Sequence, residues 1–198
     1  MQRIDITNKT DSTSSHDYLL KYFKMSGRIH RHIGSGAFAS VYSINGSTAR
    51  VMKFTDEYDD YLHYVRWIAR SGRAYSFMPK VFRVYKCKAN KALDREPEHK
   101  YDYVREDVNA YAFEIERLYV ARTKTQRRLL SQVSYFVEEV EDGYEPTRKD
   151  FPLLTPKLIN FCRKLVRVCT SHGSGVDAYG DNIRFRANGQ LVINDPFA

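Results

Sequence analysis

The stretch Asp177-Ala178-Tyr179-Gly180-Asp181-Asn182-Ile183-Arg184-Phe185-Arg186-Ala187-Asn188-Gly189-Gln190-Leu191-Val192-Ile193-Asn194-Asp195-Pro196-Phe197 is a polar turn, two short apolar runs and a second turn between them. Ile183–Phe185 and Leu191–Ile193 read as strands. Asn188-Gly189 between them is a strong hairpin signal, because both residues tolerate positive φ. The segment is expected to form a β-hairpin that carries Asp177 and Asn182 before it and brings Asp195 back beside them. Turns rich in Asp, Asn and Gly are common for local reasons alone, so the reading depends on what precedes the hairpin.

The first half is rich in strand signals. Arg28–Ile33 reads as extended, Gly34-Ser35-Gly36-Ala37-Phe38-Ala39 as a glycine-rich turn, and Ser40–Ile44 as a strand with Val41 on one face and Tyr42 on the other. Asn45-Gly46 then turns the chain into Thr48–Phe54. Thr55 is the expected cap of a helix whose apolar face is Tyr58, Tyr61, Leu62, Val65, Ile68 and Ala69, with Gly72 ending it. Pro79–Tyr85 and Tyr111–Leu118 read as further strands, separated by a charged, irregular connection over 86–109. Tyr18–Phe23 is expected to form one or two turns.

The second half reads as helical. Leu129, Leu130, Val133, Phe136, Val137 and Val140 form one stripe, closed by Gly143. Thr155-Pro156 opens a second helix through Cys169, which Gly173 stops. The expected fold is α+β: an antiparallel five-stranded sheet with one helix, followed by a reduced, mostly helical part, with a cleft between two lobes. The expected organisation is a flexible Ser/Thr-rich leader over 1–17, a nucleotide-binding lobe over 18–118, and a second lobe over 119–198.

Composition narrows the function. The chain has 198 residues and a net charge of +8, which suits an acidic partner without choosing one. The basic clusters at Arg122–Arg128 and Arg163–Arg167 sit at helical spacing and read as solvated faces. A nucleic-acid role would rest on charge alone, with no recognition helix or aromatic RNA-binding motif in view. Cys87, Cys162 and Cys169 form no paired spacing, which argues against a disulfide framework or structural zinc. With no apolar run of spanning length and no signal-peptide pattern at Met1–Asp5, the expected setting is a reducing cytoplasm, with no membrane partner.

Three pieces carry chemistry. Gly34 and Gly36 lie between two antiparallel strands, where backbone N–H groups can meet phosphate oxygens. A plain hairpin turn would look the same. Lys53 sits in an apolar strand, where its ammonium either reaches a phosphate or snorkels to solvent. Asp177 and Asn182 have the spacing of a phosphotransferase loop, in which the Asp accepts a hydroxyl proton and the Asn amide oxygen binds magnesium. Asp195 supplies a second hard oxygen ligand.

In this order and spacing the pieces resemble the protein kinase superfamily. The segment from Gly180 to Pro196 is most similar to the early serine/threonine kinases of short-tailed lytic phages of the T-seven-like group. The resemblance covers 28–54 and 172–197, and the middle matches only in plan. It implies ATP- and magnesium-dependent phosphorylation of Ser/Thr hydroxyls on host proteins. Candidate targets are transcription and RNA-processing machinery, and the leader is a further target. Homodimerisation is open. It also implies roles by position. Gly34 and Gly36 would cover the phosphates, Val41 and Val51 would line the adenine slot, and Lys53 would pair with the phosphates. Glu116, within the edge Glu114–Leu118, would meet adenine through backbone groups. Asp177 would be the base, and Asn182 and Asp195 the metal ligands.

The sequence also departs from that pattern. Ala39 replaces the third glycine, and Gly175-Val176 stands where a histidine-arginine pair is usual. Tyr179 occupies the position of a catalytic lysine, with Arg184 as a weak substitute. Pro196-Phe197 replaces Phe-Gly after Asp195, stiffening that segment. Glu57 is the nearest candidate partner for Lys53, with Asp59 and Asp60 pointing further away. Three residues follow Asp195, with no activation segment or peptide platform, so a minimal kinase and a piece of a longer one are both open. Two other functions stay in view: a catalytically weak pseudokinase that binds and inhibits a host protein, and a small-molecule kinase of the aminoglycoside or choline type.

Overall fold

In the computed structural model, Ala110–Glu116 forms the strand that organises one sheet, flanked on both sides by antiparallel neighbours. The structure describes residues 2–8, 13–36, 39–56, 60–71, 76–89 and 108–197. The strands are β1 (Gln2–Ile6), β2 (Ile29–Ser35), β3 (Ala39–Ile44), β4 (Arg50–Asp56), β5 (Val81–Cys87), β6 (Ala110–Glu116), β7 (Ile183–Phe185) and β8 (Leu191–Ile193). The helices are α1 (Ser15–Met25), α2 (Tyr61–Arg70), α3 (Lys124–Glu141) and α4 (Pro156–Ser171). The fold is α+β. Its main sheet has six strands in the order β1-β5-β6-β4-β3-β2, and β7 and β8 form a separate hairpin.

The expected five-stranded antiparallel sheet is therefore corrected to six strands and a mixed sheet. The extra strand, β1, lies within the expected flexible leader and pairs parallel with β5, Gln2 opposite Arg83 and Ile6 opposite Cys87. Ile4 and Ile6 alternate onto the face that packs against the core, which gives this short polar strand its reason to dock. The expected turn at Tyr18–Phe23 is a full helix, α1. Its N-cap Ser14 accepts from the Asp17 N–H. Leu19 and Phe23 are fully buried against Met52, Phe54, Tyr85 and Ala112. Burial of each such side chain stabilises by about 1.5–3 kcal/mol.

The chain falls into two compact units: Met1–Asp59 with Lys80–Arg117, and Asp60–Pro79 with Leu118–Ala198. The first holds the six-stranded sheet and α1. The second holds α2, α3, α4 and the β7–β8 hairpin. The helix expected within the sheet, α2, thus belongs with the second unit. Thr55 does not cap it. β4 runs on to Asp56, pairing Thr55 with Ala39 and Tyr111, and the strand's alternation continues through a fully buried Thr55. Asp60 precedes α2 without a side-chain capping bond. Tyr58 and Gly72, expected in and after this helix, lie outside the described residues, as does most of the 86–109 connection.

The later helices follow the sequence signals closely. Thr123 and Gln126 form a reciprocal capping box for α3. Thr155 caps α4 at the Leu158 N–H, with Pro156 at its start. In the second unit Trp67 of α2 stacks on Phe161 of α4, ring centroids 6.1 Å apart. No helix among the described residues is long and apolar enough to cross a membrane.

Candidate functional site

Three backbone bonds set the geometry around the β7–β8 hairpin. The Asp177 N–H donates to the Pro196 carbonyl at 2.8 Å, and Val176 bridges Phe197. The Asn194 N–H donates to the Asn182 carbonyl at 2.7 Å. Within the hairpin Ile183 lies opposite Ile193, and Gly189 turns it at φ 84°. The Ile193 N–H donates to the Phe77 carbonyl at 2.8 Å. Asp177, Asn182 and Asp195 are all partly exposed and brought together in one unit.

Helix α3 braces the same loop. Ser134 Oγ donates to the Ala178 carbonyl at 2.9 Å, and Glu141 Oε1 accepts from the Val176 N–H at 3.0 Å. The residues on both sides of Asp177 are thereby fixed while its carboxylate keeps access to solvent. Sequence reading did not find Ser134 or Glu141. Both sit on α3 outside its apolar stripe, which is the one trace of them in the sequence.

The oxygen donors here are the Asn182 amide and the Asp195 carboxylate. Among the described residues no group of three or more His, Cys, Asp and Glu is placed to hold a metal. Two hard protein ligands fit magnesium, which keeps several waters and takes its remaining ligands from phosphate, and do not fit an all-protein cage. Next to them Asn194 Oδ1 is buried without a hydrogen-bond partner. A buried acceptor left unpaired costs about 1–3 kcal/mol, so a bound group with a donor would be favoured beside it.

Tyr179, two residues after Asp177, is 39% exposed. Its phenol is pushed up, first by burial and then by Glu138, Glu141, Asp142 and Asp177. The surroundings are acidic. Arg184 pairs with Asp181 at 3.1 Å, within its own loop.

The first unit carries the other expected residues in a row across the sheet. Gly34 lies opposite Val41, Val41 opposite Lys53, Lys53 opposite Phe113, and Phe113 opposite Val84. Directly opposed residues share a face. Val51 sits two residues before Lys53 on that face, opposite Ser43 and Ile115. Lys53 is only 3% exposed, so its ammonium is held inside.

Helix α2, Tyr61–Arg70, contains no acidic residue. Asp60, just before it, accepts from Ser174 Oγ at 3.2 Å. Glu57 and Asp59 lie outside the described residues.

Gly34 and Gly36 need be glycine neither for φ nor for room. Neither has positive φ, and a Cβ at either would meet nothing within 4 Å. Open space there suits the approach of a ligand. The Gly36 N–H, however, donates to the Ala39 carbonyl at 2.8 Å and is engaged in closing the turn. The tip, Ala37-Phe38, lies outside the described residues. At Glu116 the N–H donates to the Lys80 carbonyl at 2.9 Å, and Oε1 accepts from the Lys80 N–H at 2.8 Å. Its amide cannot donate to a ligand without breaking that bond.

The sequence did not disclose the charge cluster around Glu114. This 4% exposed residue accepts from Arg50 Nη1 at 2.7 Å and Arg28 Nη2 at 3.1 Å, with Arg83 Nη1 at 3.6 Å. Arg50 also lies over the Phe82 ring at 4.1 Å, and Arg28 over Tyr85 at 4.9 Å. One carboxylate thus orders three guanidiniums, from β4, β5 and the residue just before β2.

No protein-family model matches the chain, and no curated protein matches its sequence significantly. The functional reading rests on the residues themselves.

Proposed function

We propose that this chain is an ATP- and magnesium-dependent protein kinase of minimal bilobal plan, which transfers the γ-phosphate to Ser/Thr hydroxyls of host proteins and is phage-encoded. The observation that carries the reading is the pair of backbone bonds, Asp177 to Pro196 and Asn194 to Asn182, which ties the segments of Asp177 and Asn182 to that of Asp195. The Gly34–Val41–Lys53 row supports it from the other unit. Asp177 accepts the proton of the attacking hydroxyl as its oxygen bonds to the γ-phosphorus and the bond to the ADP oxygen breaks. Asn182 and Asp195 would hold magnesium, which when bound offsets charge on the phosphate oxygens. Within the first unit, Lys53 offers an ammonium to phosphate, and Val41 and Val51 offer apolar contact to a nucleotide base.

A second reading has one observation in its favour. Tyr179 stands among Glu138, Glu141, Asp142 and Asp177, where a kinase would present a cation. A protein that binds ATP with slow or no transfer, and inhibits a host protein by docking, would need no charge there.

The test is phosphate transfer from labelled ATP with magnesium, first with the protein alone and then with a host-cell lysate. Wild type is set beside Lys53→Ala and Asp195→Asn. Label on the chain or on lysate proteins, lost in both variants, is the expected result. ATP binding without any label would replace the kinase reading with the binding one.

A further inference from the structure

Tyr64 of α2 brackets Asp195. Its hydroxyl donates to the Ile193 carbonyl at 2.7 Å, two residues before Asp195, and its ring lies 5.9 Å from that of Phe197, two residues after. The residue is fully buried, and its phenol is pushed well above the ordinary range, by burial first and then by Tyr61, Asp195 and Cys169. It therefore stays a hydroxyl, and a donor. The same peptide segment makes the Ile193 to Phe77 and Asn194 to Asn182 bonds. Removing the Tyr64 donor leaves the buried Ile193 carbonyl short of its partner, in the same peptide group whose N–H ties Asn194 to Asn182.

We infer that Tyr64 is a positioning residue for Asp195, acting through the Ile193 carbonyl and the Phe197 ring. Helix α2 then serves the candidate metal site as a scaffold. Asp60, just before α2, adds a second tether through Ser174. The functional side of the inference rests on reading Asp195 as a metal ligand; the positional side does not.

The experiment uses the full chain with Tyr64→Phe, and with p-aminophenylalanine at position 64, which keeps a donor. Hydrogen exchange of the Asn194 and Asp177 amides is followed in each. The phenylalanine variant is expected to exchange about fivefold faster at these two amides, with α4 amides unchanged, and the amino variant to return toward wild type. Unchanged exchange in a folded Tyr64→Phe protein overturns the inference. Should that variant not fold, the amino variant decides. Wild-type protection at the two amides upholds the inference, and faster exchange with α4 intact overturns it.

A second readout is the magnesium concentration needed for binding a fluorescent ATP analogue. Tyr64→Phe is expected to raise it about fivefold and to leave metal-free binding unchanged. An unchanged requirement overturns the inference. A wild type that binds no magnesium–ATP overturns the kinase reading instead, and the exchange measurement still decides the role of Tyr64.

Discussion

The Asn194 N–H donates to the Asn182 carbonyl at 2.7 Å, so the residue before Asp195 is fixed to one of the two oxygen ligands proposed for magnesium. With Asp177 tied to Pro196 on the other side, the proposed base and the proposed ligands share one backbone frame. Changing a side chain in this frame need not disturb the frame. Asp177→Asn is expected to keep the folded circular-dichroism spectrum and to lower kcat for phosphate transfer by about 10²–10⁴-fold, the usual contribution of a positioned base. A steady-state assay beside a thermal melt separates the two effects.

Glu114 is a buried charge with three arginines around it. Arg28, Arg50 and Arg83 retain 31%, 43% and 42% of their side-chain exposure. If Glu114 is lost, the arginines recover water, which makes the cost smaller than for a fully buried pair. Glu114→Gln is expected to destabilise by about 2 kcal/mol, and Arg50→Ala by less than about 1 kcal/mol, since two arginines remain. Urea melts of the two variants measure the difference.

Thr155 holds the start of α4 by accepting from the Leu158 N–H at 3.3 Å. Thr155→Ala removes that cap and is expected to cost about 1 kcal/mol, a fall in Tm of about 2–4 °C for a chain of this size. Differential scanning calorimetry checks it.

The buried thiols set the alkaline limit. Burial pushes Cys162 up to about 12, and Cys169, where Glu141 adds to the effect of burial, also to about 12. A thiol raised in the folded state contributes stability that is whole below its unfolded value near 9 and is lost as pH rises toward 12. Cys162 alone is expected to remove about 1.4 kcal/mol of stability between pH 8 and pH 10. Urea midpoints across this range should fall, and Cys162→Ala should flatten the decline by that amount. Native protein at pH 8 should also resist thiol reagents until denatured.

Legibility followed the range of the interaction. Thr155-Pro156, the Gly143 stop and the Asn188-Gly189 turn are decided by neighbours in sequence, and the structure has each of them where the sequence put it. The hairpin register follows from the same turn, which brings Asn194 back beside Asn182. Thr55 was misread because a threonine before acidic residues looks like a cap, whereas pairing with Ala39 and Tyr111 keeps it in β4. β1 was missed because only Ile4 and Ile6 mark its buried face. The Glu114 cluster joins residues 64 and 86 positions apart through guanidiniums that any surface strand could carry, so no local pattern announces it.

Tyr179 offers the sharpest test of whether the site transfers phosphate. Its raised phenol stays neutral, so it brings no charge to the loop that carries Asp177. The side chain is exposed enough to be replaced without a core penalty. Tyr179→Lys would place an ammonium among Glu138, Glu141, Asp142 and Asp177, where screened attraction stabilises by less than about 1 kcal/mol. In a working kinase the new charge also acts where negative charge builds in the transition state, and kcat is expected to rise about tenfold with little change in the KM for ATP. If the protein works by binding alone, the variant should melt slightly higher and transfer no more label than before. A rise in kcat would place the transferring phosphate beside residue 179, and its absence in a protein that binds ATP would favour the pseudokinase.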